Sequence, residues 1–420
     1  MNVRKIALEA LDKIINKKAF SNIVVNEFLN KFEMTKEDKG LFTNLVYGTI
    51  QNLLTIDFYL EPYIKKKPKP WVKHLLYMSV YQIVYLDIPN YAIVNESVDI
   101  ANVKDKAIGS FVNGVLRNFS RNPLRSLEGY DDIKRLSIEY SHPEWLVAYF
   151  LKDYDKETVE KILKSNSIIK NDSIRFNTLK ASKEEICNKL KEEQIPFSEC
   201  ELVKNGAFIY QSVVDSDCFK KGYITIQDIS SQMVSEIANP SLDLTIIDLC
   251  SAPGGKTAHL AAIMNNTGRI FACDVYQHKI KLMEDNFKRL GVTNAKTQLI
   301  DARLVSQNVK EESFDYVIAD VPCSGLGVLS HKVDLKYHIS LRAIEEIEYL
   351  QEEILKTTYM LVKHGGFIVY STCTINKDEN EKQIARFLRM HEDFEIVEER
   401  KILPFEHQTD GFYICKLRRK

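Results

Sequence analysis

Cysteine is missing from the first 186 residues of this 420-residue chain, and the eight cysteines beyond them include no C-x-x-C pair. That spacing supports neither a zinc knuckle nor a dithiol redox site, and no metal is expected. An excess of charge is missing too. The formal net charge is −1, so no global basic field marks a nucleic-acid binder. The N-terminal stretch MNVRKIALEALDKIINKK reads as an amphipathic helix and lacks the apolar block of a signal peptide. Long hydrophobic runs are absent. The most membrane-like stretch, HLLYMSVYQIVYLDI, is short and carries His74 and Gln82, which puts it below the length of a spanning helix. Repeats and low-complexity tracts are absent as well. These absences lead to the expectation of a cytosolic globular chain with reduced thiols and two or three domains.

What is present is unevenly distributed. Residues 1–130 hold 18 Lys and Arg against 13 Asp and Glu, whereas residues 131–240 hold 15 against 19. A mildly basic first part permits RNA contact without requiring it. Over residues 1–125 the apolar positions recur at spacings of 3 and 4, as in RKIALEALDKII and DKGLFTNLVYGTIQNLLTIDFYL, which predicts an all-helical domain. Lys65, Lys66, Lys67 and Lys69 form either a phosphate-binding cluster or a solvated loop. Residues 126–240 are expected to form a linker helix and a small α+β unit. Its strands are SIRFNTLK, ECELV and AFIYQ, and its helix is SKEEICNKLKEE. His142 and Trp145 in SHPEWLV read as packing residues.

From Leu244 onward, short apolar runs alternate with helical patterns: TIIDLC, RIFACD, KTQLI, DYVIAD and GFIVYS. This alternation predicts a parallel α/β sheet covered on both faces over residues 241–420. Ligands in such sheets bind beyond the carboxyl ends of the strands, so the residues there are the candidates. DLCSAPGGKT places Cys250, Ser251, Ala252, Pro253, Gly254, Gly255 and Lys256 in a glycine-bearing turn that opens a helix. A phosphate-binding P-loop would need glycine at position 250, where Cys250 stands. Asp274 falls where an acidic residue accepts hydrogen bonds from ribose hydroxyls. Asp301, at the third strand end, can face an adenine amino group. Such a set fits a nucleoside cofactor without phosphates, namely S-adenosylmethionine. The bland reading of any one strand-end aspartate is a helix cap.

DYVIADVPCSGLG ends the fourth strand with Asp320, Pro322 and Cys323, and STCTINKDENE follows the fifth with Cys373. Methyltransferases of exocyclic base amines carry an aromatic residue after this proline, whereas here a cysteine follows it. Methylation at carbon 5 of cytosine needs a thiolate to add at carbon 6, an acid near ring nitrogen 3 and a base to remove the carbon 5 proton. Cys323, Cys373 and Asp320 can fill the three roles. The competing reading of either thiol is a small buried core residue.

These motifs, with RFN at 175–177 and DGFYICKL at the end, resemble RNA 5-methylcytosine methyltransferases of the NOL/NOP2/Sun type. KEDKGLFTNLVYGTI, YAIVNESVDIA and FVNGVLRN resemble a NusB-type helical RNA-binding domain. The resemblance spans nearly the whole chain. It implies an α/β Rossmann-like class I methyltransferase fold, an all-helical NusB-like N-terminal domain and a small α+β RNA-binding subdomain. It implies transfer from S-adenosylmethionine to carbon 5 of a cytosine in small-subunit (16S) ribosomal RNA by a monomer, with no membrane and no metal. Transfer RNA, another ribosomal site and a non-catalytic assembly role are the alternatives.

By the same resemblance Cys373 is the nucleophile and Cys323 assists product release. Cys250 to Lys256, Asp274, Asp301 and Asp320 fall at cofactor positions, with Asp320 also beside the base. Arg175 and Asn177 are expected at the RNA pocket or nearby phosphates, the bland reading being an exposed pair on a strand. Ser251 stands where the family often has alanine, a change expected to matter little because backbone does the binding. Lys377 is a candidate charge beside Cys373.

Overall fold

The computed structural model describes residues 2–168 and 170–420. The chain forms two compact units, Met1–Ile168 with Leu329–Ile339, and Ile169–Val328 with Ser340–Lys420.

The first unit is helical. Its longest helices are Val3–Lys17, Lys36–Gln51, Pro70–Tyr85 and Lys106–Arg121. The spacing of 3 and 4 brings Leu11, Leu45, Leu75, Leu76 and Leu116 into one core, each without exposed surface. Thr35 and Asp105 accept backbone N–H groups of Asp38 and Ala107 at two helix starts, caps that contribute about 1 kcal/mol each. The expected continuous helix over 38–60 is broken at Asn52. Its side chain donates to the Gly48 carbonyl at 2.9 Å, and a second helix, Leu53–Leu60, starts after it. Asn and Asp compete with the helical ladder in this way.

His142 is fully buried, with Nδ1 2.7 Å from the Tyr140 carbonyl and Nε2 3.2 Å from the Asn166 amide. Burial and the charge of Lys336 hold its pKa well below the usual histidine value. A neutral ring then donates from Nδ1 and accepts at Nε2, and the packing reading holds for His142. Trp145 is half-buried at the edge of an open cavity of about 680 Å³ shared with Phe58, Lys67 and Lys134. Lys65, Lys66, Lys67 and Lys69 are all exposed.

The strip Leu329–Ile339 completes this unit from far along the chain. Ser21 donates to Asp334 from both its backbone N–H and its hydroxyl. The Tyr337 hydroxyl donates to the Ile50 carbonyl at 3.0 Å. Lys336 is fully buried, and its Nζ donates to the Gln51 carbonyl at 2.9 Å.

The second unit holds two sheets. The strands of the small one are β1 (Ser173–Phe176), β2 (Phe197–Glu199), β3 (Gly206–Ile209) and β4 (Ile224–Ile226), in the order β2-β3-β1-β4 and all antiparallel. The strand expected in ECELV lies earlier, at Phe197–Glu199. Residues 200–205 are a turn, in which the Cys200 N–H donates back to the Gly206 carbonyl.

The large sheet contains β5 (Thr245–Asp248), β6 (Arg269–Asp274), β7 (Ala295–Leu299), β8 (Phe314–Asp320), β9 (Val362–Thr372), β10 (Phe394–Ile402) and β11 (Phe412–Arg419). Their order is β10-β11-β9-β8-β5-β6-β7. The pairs from β7 through β9 are parallel, as expected, but β11 runs antiparallel to both β9 and β10. The sheet is therefore mixed. Only residues 403–411 separate β10 from β11, too few for the crossover that a parallel pair needs. Strand order reverses at β5, which opens a crevice beyond its carboxyl end and that of β8.

Candidate active site

The first side of the crevice is the turn after β5. Gly254 caps the helix Gly255–Ile263 with φ +94°. A Cβ there would meet the Phe287 ring at 2.8 Å, so only glycine fits both the backbone and the space. Behind the turn, Asp248 is 1 % exposed and accepts from the Thr257 hydroxyl at 2.6 Å, while its Oδ1 has no partner. Burial pushes its pKa up to about 6. Ser251 extends this chain, its hydroxyl lying 2.5 Å from that of Thr257. Alanine there would remove a link next to Asp248. Cys250 is held well above the usual thiol range by burial and the surrounding aspartates.

Asp274 ends β6. It is 6 % exposed and accepts the Tyr276 N–H at 3.1 Å, with Lys279 at 3.5 Å. Asp301 caps the short turn Ala302–Gln307 and is gripped by the Arg303 side chain, which holds its pKa below the usual carboxylate range. Asp301 is thus a cap, as the bland reading of a strand-end aspartate has it.

The second side lies at the ends of β8 and β9. The sulfurs of Cys323 and Cys373 are 3.0 Å apart, too far for a disulfide bond of about 2.05 Å. Both cysteines are partly exposed, and Cys373 also packs against the core of the sheet. The backbone N–H of Cys373 donates to the Cys323 sulfur at 3.2 Å. Asp320 accepts from Lys256 at 2.7 Å and from the Ser371 hydroxyl at 2.8 Å. Burial lowers the Lys256 pKa, but the charges of Asp320, Asp248 and Cys373 outweigh it and the pKa rises. Lys256, from the glycine turn, is thus an ammonium bonded to Asp320 whose charge also interacts with Cys373.

A third layer was not foreseen. Glu379 is fully buried and accepts from the Ser324 N–H at 2.8 Å, the Ser324 hydroxyl, Gln351 Nε2 at 2.9 Å and Asn376 Nδ2 at 3.0 Å. The Cys323 thiol is pushed well above its usual pKa by its hydrogen bond with Cys373, by burial, and by the charges of Cys373 and Glu379. The only sequence signal was a glutamate in NKDENE, a segment that otherwise reads as solvated.

Three family profiles match the chain. One described as 16S rRNA methyltransferase RsmB/F covers residues 236–418, one described as NusB family covers 1–121, and an RsmF/B-like ferredoxin-like domain covers 142–214. A Bacillus subtilis (strain 168) protein named "Probable ribosomal RNA small subunit methyltransferase B" is 38 % identical, with 100 % of this chain and 99 % of that one covered. The chain belongs to the RsmB/F family. A Synechocystis relative of the same name is 33 % identical over the full length of both chains. A solved "methyltransferase homolog protein" from Pyrococcus horikoshii is 26 % identical, with a TM-score of 0.63, over 69 % of this chain and all of that one.

In this RsmB/F member, Arg175 and Asn177 are turned inward, each 1 % exposed. Asn177 Nδ2 donates to the carbonyls of Gly222 and Leu290, both at 2.8 Å, tying the small sheet to the helix Gln277–Leu290. Arg175 Nε donates to Gln227 at 2.8 Å, its Nη1 and Nη2 have no partner, and burial lowers its pKa to about 9. Burial excludes an exposed surface pair and equally leaves neither side chain at the surface for the RNA contact expected of them. Among the described residues no His, Cys, Asp or Glu cluster is arranged to hold a metal, and no helix is long and apolar enough to cross a membrane.

Proposed function

We propose that this RsmB/F chain methylates carbon 5 of a cytosine in small-subunit (16S) ribosomal RNA, through a covalent bond from Cys373 to carbon 6. The names of its full-length relatives support the RNA class. The observation that carries the chemistry is the pair of thiols 3.0 Å apart, one beside a lysine and the other beside a buried glutamate.

S-adenosylmethionine would supply an electrophilic methyl group. The crevice fits it. The turn at Gly254 allows close backbone approach, Asp274 keeps acceptor capacity for ribose hydroxyls, and no basic phosphate clamp is needed. Cys250 to Lys256, Asp274, Asp301 and Asp320 would hold it.

The Cys373 thiolate, favoured by Lys256, adds to carbon 6, and Asp320 faces the ring edge where charge develops. Carbon 5 then takes the methyl group. Bonding to carbon turns Cys373 into a neutral thioether, which removes its charge and its hydrogen bond from Cys323. Cys323 then releases its proton to solvent, takes the proton from carbon 5, and the carbon 6–sulfur bond breaks to return the Cys373 thiolate. The balance is one methyl gained by the base and one proton released. The target base must be unstacked to enter such a site. The exposed lysines at 65–69 are candidates for phosphate contact. Arg175 and Asn177 would support the RNA site by bracing the small sheet from within.

The experiment pairs two variants with labelled cofactor and 16S or transfer RNA. Cys323→Ala should accumulate a denaturant-resistant protein–RNA adduct, and Cys373→Ala should give neither adduct nor product. An adduct from Cys373→Ala would reverse the roles. Transfer to transfer RNA alone would overturn the substrate, and no transfer to any RNA would overturn the enzyme reading.

A further inference from the structure

The two thiols are close together but do not share an environment. Cys373 has Lys256 and Asp320 on its cofactor side. Behind Cys323 stand Tyr370 and Glu379, the latter near Glu348. Glu379 has no exposed surface, and four donors converge on its two oxygens. Two of those donors belong to Ser324, the residue after Cys323. The Ser324 hydroxyl lies 2.8 Å from that of Thr374, the residue after Cys373. Gln351, on the helix Leu341–Leu361, donates both to Glu379 and to the Pro322 carbonyl just before Cys323, each at 2.9 Å. The Tyr370 hydroxyl closes the frame by donating to the Glu379 carbonyl at 2.7 Å. Four donors satisfy the buried carboxylate and fix it in place.

We propose that Glu379 is a positioning residue that braces the two thiol-bearing loops and gives the thiols unequal roles, with its buried carboxylate on the Cys323 side of the pair and Cys373 as the nucleophile. The role of Cys373 rests on the reaction proposed above, but the asymmetry is a property of the free protein. The same negative charge makes Cys323 the stronger base once Cys373 is bonded to carbon. It places the proton donor on one side of the pair and the nucleophile on the side facing Lys256.

The test uses the full chain without RNA or cofactor. Iodoacetamide labelling of Cys323 and Cys373 is followed separately by peptide mass spectrometry from pH 6.5 to 10, with folding checked by circular dichroism. In the wild type, Cys373 should label first and Cys323 only at higher pH. In Glu379→Gln, which keeps shape and removes charge, the Cys323 profile should move down by about one pH unit, or about tenfold faster labelling at pH 8. An unmoved Cys323 profile overturns the proposal. Ser324→Ala removes one donor but keeps the charge, and should leave Cys323 slow. An equal acceleration there overturns the proposal in favour of simple loosening.

If Glu379→Gln does not fold, Cys373→Ser decides. With Glu379 intact, Cys323 should still titrate above the free-thiol value of about 8.5. A midpoint at or below that value overturns the inference. Absence of methyl transfer with the labelling shift intact would count against the reaction and not against Glu379.

Discussion

Asp248→Asn should stabilise the protein at neutral pH, although it alters the motif that frames the cofactor turn. The carboxyl is 1 % exposed, has one donor at 2.6 Å and one oxygen without a partner. Burial raises its pKa from 3.8 to about 6. Above pH 6 the folded chain holds a charge that the unfolded chain carries in water, so the shift of about two units opposes folding by about 3 kcal/mol. The sign is that of a raised acid: the penalty is full above the folded pKa and fades as pH falls from 6 toward 4. Asparagine removes the penalty but leaves a buried amide poorly matched, which returns about 1 kcal/mol. The net gain of about 2 kcal/mol at pH 7.5 corresponds to a melting temperature raised by about 4–8 °C for a unit of this size. At pH 5 the gain should shrink below about 1 kcal/mol. Thermal melts of both proteins at the two pH values provide the measurement. If Asp248→Asn melts below wild type at pH 7.5, or differs from it by a margin independent of pH, the reasoning is refuted and the carboxylate is a needed charge.

Two further outcomes follow from the same geometry. Gly254→Ala should strain a φ of +94° and press on Phe287, costing about 1–3 kcal/mol. Calorimetry should find cofactor affinity reduced by about tenfold or more, and unchanged affinity would remove the turn from the binding site. Asn177→Ala leaves the Gly222 and Leu290 carbonyls unpaired, at a cost of about 1–3 kcal/mol in a thermal or urea melt. RNA affinity of the folded variant should be unchanged. A normal melt with weakened RNA binding would instead put Asn177 at the RNA surface.

The large sheet was legible because its central strands are unbroken apolar runs ending in aspartates, and strand-end position is encoded by that pattern alone. The reversal of β11 was not, since GFYICKL has the same apolar character in either direction and only the short connection decides. ECELV misled because its alternation mimics a strand, while the backbone turns back at Cys200. At the site, Cys323, Cys373 and Asp320 announced themselves by residue type. Lys256 was legible only as a residue of the glycine turn and Glu379 not at all, because the field on each thiol depends on residues 50 or more positions away in sequence. Arg175 and Asn177 look like surface polar residues on a short strand. Their burial depends on the helices Ile229–Ala238 and Gln277–Leu290 packed against the small sheet, which no local pattern reports.

The strip Leu329–Ile339 bears on how the molecule is made. A helical unit that ended at residue 168 could fold as soon as it left the ribosome. This one waits for Asp334, Lys336 and Tyr337, which are synthesised about 170 residues later. At about 5–20 residues per second, Ser21 and the Gln51 carbonyl, made 313 and 285 residues ahead of Asp334 and Lys336, lack these buried partners for roughly 15–60 s. By then β5 through β8 have emerged. The first unit to appear is thus among the last to be finished, and its completion reports that most of the methyltransferase sheet has been made.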